Sequence, residues 1–238
     1  MIRFIKRPLN WLLLSLALVS IVAIFLGHEN PYARIALCLR VPCPRIADSH
    51  AWEKIAYDLG IGSIISLLFY WLVVRLPENA KRRRVRNSFA LHFRQFKEDV
   101  TATILSVTDG SYEYGFHQEL VDQQRFREYF RQKDEEGNER WYAFYNNMTE
   151  SSLQELRLHL EVLRSEILFT MAAVDIDDRE VLEFMKRFSA NIIRYRSTVL
   201  DYDSMKSFGN FMWEILAGEN SVTGRMKRDY FLAMIKDI

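Results

Sequence analysis

Cysteine is nearly absent from this chain. It has two, Cys38 and Cys43, and none follows them. Everything downstream therefore lacks a thiol nucleophile and a cysteine ligand for metal. Proline is also scarce: five in all, and none after Pro77. Beyond Pro77 only six glycines remain, Gly110, Gly115, Gly137, Gly209, Gly218 and Gly224. A β-rich domain of that length needs more turn residues, so this half reads as all-α.

Signatures of chemistry are missing as well. There is no H-E-x-x-H, no G-x-S-x-G, no Walker A loop and no G-x-G-x-x-G. Of the five histidines (His28, His50, His92, His117, His159), two open an H-x-E, His117-x-Glu119 and His159-x-Glu161. A zinc deaminase also needs P-C-x-x-C downstream, which this chain lacks, so both are chance matches. The densest carboxylates, Asp175, Asp177, Asp178 and Glu180, do not follow an EF-hand layout. Asp177-x-x-Glu180 reads instead as a capping box opening a helix. The expectation is no catalytic residue, no metal site and no cofactor, hence no enzyme.

Charge is missing from two stretches in particular. The chain's net charge of +1 conceals this, because the long apolar runs lie in the first 76 residues and most of the charge follows them. Pro8 to Gly27, PLNWLLLSLALVSIVAIFLG, has no charge in twenty residues. As a helix that covers roughly 30 Å, the thickness of a bilayer's hydrocarbon. Its basic start (Arg3, Lys6, Arg7) suits a signal peptide, but the apolar run is too long and no small-x-small cleavage site follows it. Leu59 to Val74, LGIGSIISLLFYWLVV, is the second run, extended by Tyr57 and Leu76 with Arg75 reaching toward water. The expected architecture is a two-helix transmembrane hairpin over 1–76, with spans at about 9–27 and 57–76 and an intervening loop at 28–56.

Orientation follows from Lys and Arg at the span ends. Nine lie on the outer flanks of the pair: Arg3, Lys6, Arg7, Arg75, Lys81, Arg82, Arg83, Arg84 and Arg86. Only Arg34, Arg40, Arg45 and Lys54 lie between the spans. Both termini are therefore expected in the cytoplasm of a bacterial inner membrane, with loop 28–56 periplasmic. Trp11, Tyr70 and Trp71 then fall at the inner boundary, Trp52 and Tyr57 at the outer one. Cys38 and Cys43, in CLRVPC, sit on the oxidising side, where a tight disulfide forms. Two reduced thiols are the alternative.

The second half, 77–238, reads as a cytoplasmic multi-helix domain. Val85, Phe89, Phe93, Phe96, Val100, Ile104 and Val107 share one face of a long helix. That helix should continue from the second span with a bend near Pro77 and stop at Asp109-Gly110. Leu153, Leu156, Leu160, Leu163, Ile167, Met171 and Val174 line another, capped by Ser151-x-x-Gln154 or Ser152-x-x-Glu155. A third buries Val181, Met185, Phe188, Ile192, Tyr195 and Val199. Shorter helices are expected around Ser204–Ala217 and Gly224–Ile238. Gln118–Met148 reads as two helices broken at Glu135-Glu136-Gly137-Asn138.

Setting aside the basic segment 77–86, this half holds 19 basic against 26 acidic residues. Such a body is a poor binder of nucleic acid, which needs clustered positive charge. Lys81, Arg82, Arg83, Arg84 and Arg86 are better placed on anionic lipid headgroups. No charge occurs between Leu9 and Gly27 or between Leu59 and Val74, which argues against a transporter. Small residues occur instead: Ala23 and Gly27 in the first, Gly60, Gly62, Ser63 and Ser66 in the second. They mark helix–helix contact, either inside the hairpin or between copies.

The stretch YDLGIGSIISLLFYWLVVRLPENAKRRRVRNSF, residues 57–89, resembles the second span and basic exit of small two-span inner-membrane proteins. Those proteins serve as effectors in bacterial anti-phage defence systems, including some retrons. The resemblance implies a toxin held inactive by a cytosolic protein or ribonucleoprotein, which on release oligomerises and disrupts the inner membrane. The alternative is a non-toxic anchor whose helical domain recruits a cytosolic partner.

Overall fold

In a computed structural model of the chain, the structure describes residues 8–27, 50–133, 137–220, 224–225 and 229–236. They form ten α-helices and one short ladder. In order these are α1 (Pro8–Gly27), α2 (His50–Tyr70), α3 (Leu76–Thr108), α4 (Phe116–Glu119), α5 (Gln123–Phe130), α6 (Trp141–Asn146), α7 (Glu150–Ala173), α8 (Arg179–Tyr195), α9 (Tyr202–Ala217), β1 (Glu219–Asn220), β2 (Gly224–Arg225) and α10 (Tyr230–Lys236). The fold is all-helical apart from the two-residue antiparallel ladder β1–β2. The chain divides into two compact units, Met1–Ala80 and Lys81–Ile238, with the boundary inside α3.

In the first unit α1 and α2 pack along each other. Among the described residues one helical run, Lys54–Thr108, is long and apolar enough to cross a membrane, and Trp11–Phe25 is a shorter apolar stretch. Helix α2 starts at His50, so residues 50–56 of the expected loop are helical. Cys38 and Cys43 lie outside the described residues.

Pro77 does not end the helix. A π-helical turn, Trp71–Arg75, precedes it, closed by Leu76 N–H donating to the Trp71 carbonyl. Proline lacks an N–H and its ring collides with the carbonyl four residues back, and a widened turn moves that carbonyl aside. Arg75, expected to reach for water, is instead buried.

The second unit is built around aromatic residues. Phe89, Phe93, Phe96, Val100 and Ile104 of α3 are buried at the expected spacing, and Asp109-Gly110 follows the helix end, with Gly110 at φ +73°. Helix α7 buries Leu153, Leu156, Leu160, Leu163 and Ile167. Its cap is neither Ser151 nor Ser152. Thr149, in extended conformation, accepts from Ser152 N–H at 3.2 Å. Helix α8 is capped one residue later than expected, by Asp178, which accepts from Glu180 N–H at 3.0 Å. It ends at Tyr195, so Val199 falls beyond it and is exposed.

The C-terminal segment differs most from expectation. Gly224–Arg225 is a strand paired with β1, and among the described residues of this segment the helix is Tyr230–Lys236. Phe231 of α10 stacks on Phe93 with centroids 5.2 Å apart and meets Phe184 and Phe188 edge-on at 4.9 and 4.6 Å. Lys97 Nζ donates to Asp229 Oδ2 and to the Val121 carbonyl, both at 3.0 Å.

Candidate functional site

Three concave regions merit comparison. The first lies in the hairpin unit. The two glycines of α2 have different surroundings, because a two-residue step turns a helix by about 200°. Gly60 is buried against α1: a Cβ there would lie 2.7 Å from Ile24 Cγ1 and 2.9 Å from the Ser20 carbonyl oxygen. Gly62 has nothing within 4 Å of its Cβ position. It lies instead on an open groove of about 680 Å³ with Ser63, Ser66, Leu59 and Tyr70, which Leu13 and Leu16 of α1 also line. The Ser66 hydroxyl donates to the Gly62 carbonyl at 2.8 Å, so its polarity is satisfied within the helix. Ala23 is half-buried, and Gly27 closes α1.

The small residues thus divide into two sets. Gly60 lets the two helices approach, and Gly62 and Ser66 face outward. Sequence reading groups them, although their angular separation is enough to part them.

The second region is a cavity of about 860 Å³ in the helical unit, floored by the Lys97–Asp229 pair. Arg94, Arg125 and Arg127 approach it together with Glu119 and Asp122. Its charges are largely consumed locally. Arg125 pairs with Glu119 at 2.8 Å and Arg94 with Glu98 at 2.9 Å. The Arg127 guanidinium donates to the Ala217 carbonyl, and Asp122 caps α5. This region ties α3, α5, α9 and the C-terminal segment together. Sequence reading misses Lys97, a lone lysine one residue after a buried Phe96.

The third is a cleft of about 680 Å³ between α6, α8 and α9, lined by Trp141, Tyr145, Tyr195, Phe211 and Trp213 with Asn191, Arg194, Asn210 and Glu214. Gly209 shapes it, since a Cβ there would overlap the Tyr145 ring. Trp141 Nε1 donates to Tyr145 Oη at 3.1 Å. Burial pushes the Tyr145 hydroxyl above its ordinary pKa. Arg131 lies over Trp213 at 5.8 Å and pairs with Glu219 at 2.7 Å. The cleft offers aromatic edges and side-chain amides, the elements of a recognition surface.

The basic segment is not uniform. Lys81, Arg83 and Arg84 are exposed and Arg86 is half-buried. Arg82, expected on lipid headgroups, pairs with Asp177 at 3.0 Å. Of the acidic cluster, Asp177 serves Arg82 and Asp178 serves the α8 cap. His92 contacts Glu166 at 2.8 Å, and His159 lies 4.0 Å from Asp99 and from Glu155. Among the described residues no group of three or more His, Cys, Asp or Glu could hold a metal ion. No protein-family model, no curated protein and no solved structure matches this chain.

Proposed function

We propose that the chain is a two-span bacterial inner-membrane protein, with both termini and the helical unit in the cytoplasm. We further propose that it acts as an effector whose spans self-associate and disrupt the bilayer when a cytosolic partner releases it. The observation that carries this reading is the division between Gly60 and Gly62. The hairpin's own contact uses Gly60, which leaves a small-residue groove at Gly62, bordered by Leu13, Leu16, Leu59 and Leu67 with Asp58 and Tyr70. In hydrocarbon such a surface gains by close packing against another helix, and a second copy supplies one. The surrounding exterior suits lipid: Leu59, Leu68, Phe69 and Val73 are all more than half exposed.

The test is overexpression in bacteria with a potential-sensitive dye. Wild type is expected to depolarise cells and stop growth. Gly62→Leu, which a single copy accommodates, is expected to insert at equal abundance and do neither. Wild type that leaves potential and growth untouched would overturn the effector reading.

The aromatic cleft favours a second reading, a non-toxic anchor whose helical unit holds a cytosolic partner. It expects no depolarisation from wild type or from Gly62→Leu.

A further inference from the structure

The half-buried carboxylates of the helical unit are, with one exception, engaged. Among the described residues Glu98, Glu161, Glu166, Asp178, Glu219 and Asp229 are half-buried, and each meets a basic side chain or caps a helix. Glu214 of α9 is half-buried too, yet among the described residues its carboxylate has no hydrogen bond and no ion pair. Withdrawing a carboxylate from water without a partner costs free energy that a partner would offset. Glu214 lines the aromatic cleft between α6, α8 and α9. That cleft already holds one guanidinium on an aromatic ring: Arg131 lies over Trp213 at 5.8 Å and pairs with Glu219 at 2.7 Å. Glu214 and the stacked rings of Tyr195 and Phe211, 4.6 Å apart, offer carboxylate and aromatic surface a second time, with no cation paired to them.

We infer that this cleft is the docking site for an arginine side chain of a protein partner, its guanidinium pairing with Glu214 beside the Tyr195 ring. The inference rests on the reading that the helical unit holds a cytosolic partner, and it names what that partner presents. Charge favours a cation. The lining carries three carboxylates (Glu139, Glu214, Glu219) against two guanidinia (Arg131, Arg194), and Arg131 and Glu219 engage each other. Arg194 opposes an incoming cation, but it is exposed and screened by water, whereas Glu214 is half withdrawn from it. Shape favours arginine over lysine. A guanidinium is planar and weakly hydrated, so it stacks on a ring while its fork pairs with a carboxylate, whereas an ammonium is a compact, strongly hydrated charge. Trp, Tyr and Arg are the types enriched at the centres of protein interfaces, and they supply Trp141, Tyr145, Tyr195, Trp213, Arg131 and Arg194 of the lining. Nucleic acid is a poorer occupant, because its phosphates would meet Glu139 and Glu214.

The test uses the purified full chain in detergent micelles and the fluorescence anisotropy of a short labelled peptide of alternating arginine and alanine. The same peptide with lysine, citrulline or glutamate in place of arginine serves for comparison. The arginine peptide is expected to bind, the lysine peptide more weakly, and the citrulline and glutamate peptides not at all. Glu214→Gln, which keeps the side chain's shape, should weaken the arginine peptide by about tenfold while the circular dichroism of the helical unit persists. Arg194→Gln removes a like charge and should tighten it. Asp175→Asn, an exposed carboxylate outside the cleft, should leave binding unchanged. Failure of the arginine peptide to bind would overturn the inference. So would equal binding of the lysine peptide, or an affinity that Glu214→Gln leaves unaltered, since either would mean attraction to the acidic body at large. Because this assay does not depend on which side of a membrane the unit occupies, its failure is distinct from failure of the proposed topology.

Discussion

At the scale of single residues, polar atoms that find no partner are the most informative. Thr101 and Thr170 are 0% and 1% exposed, and among the described residues neither hydroxyl has a hydrogen-bond partner. Valine has nearly the same shape and removes the stranded hydroxyl. Thr101→Val and Thr170→Val should each stabilise the helical unit by roughly 1 kcal/mol, read from denaturant unfolding. Asp201 illustrates the opposite case. It accepts from Ser204 N–H at 2.9 Å and caps α9, and hydrogen bonds from the Ser204 side chain and backbone hold its carboxyl below the ordinary 3.8. A lowered carboxyl pKa stabilises the fold above the unfolded value, and that contribution is lost as pH falls through the folded value. Asparagine can cap without titrating. The melting temperature of Asp201→Asn should therefore fall less than that of wild type below about pH 4. Acid profiles that superimpose would contradict this role for the carboxylate.

At the scale of elements, α10 gives the sharpest expectation. It has seven residues and holds its place through Phe231 between Phe93, Phe184 and Phe188. Phe231→Ala should cost about 3 kcal/mol, a buried aromatic truncated to a methyl. A loss under about 1 kcal/mol would mean the helix is dispensable to the core. Sequence reading places a helix over Gly224–Ile238 but not the strand Gly224–Arg225 at its start, because so short a pairing leaves no period along the chain. Long elements are more legible. The inward residues of α3 and α7 recur at helical spacing over many turns, and packing rewards that pattern directly. Caps are displaced by one to three residues. Several Ser, Thr and Asp stand side by side near each start, and backbone conformation rather than composition selects Thr149 and Asp178. The linings of the two concave regions of the helical unit escape for a related reason. Lys97, Trp141, Tyr145 and Trp213 are placed by tertiary packing, and no spacing along the chain announces it.

At the scale of the whole molecule, the proposed function divides between an apolar pair of helices and an acidic helical body. In the proposed layout, charge asymmetry across the first 86 residues assigns the sides of the membrane, and the other proposals depend on it. Cys38 and Cys43 depend on it too. If they lie in the periplasm, both should resist maleimide until reductant is added, whereas labelling without reductant would show free thiols. The same assignment determines whether Lys81, Arg83 and Arg84 meet cytoplasmic lipid. It also determines whether the cleft around Trp213 is open to a cytosolic partner. The measurement that tests it most directly is a set of alkaline phosphatase fusions in bacterial cells. A fusion within Pro31–Ser49 is expected to be active, and one after Glu78 inactive. The reverse pattern, or activity at both positions, would contradict the layout on which the account rests.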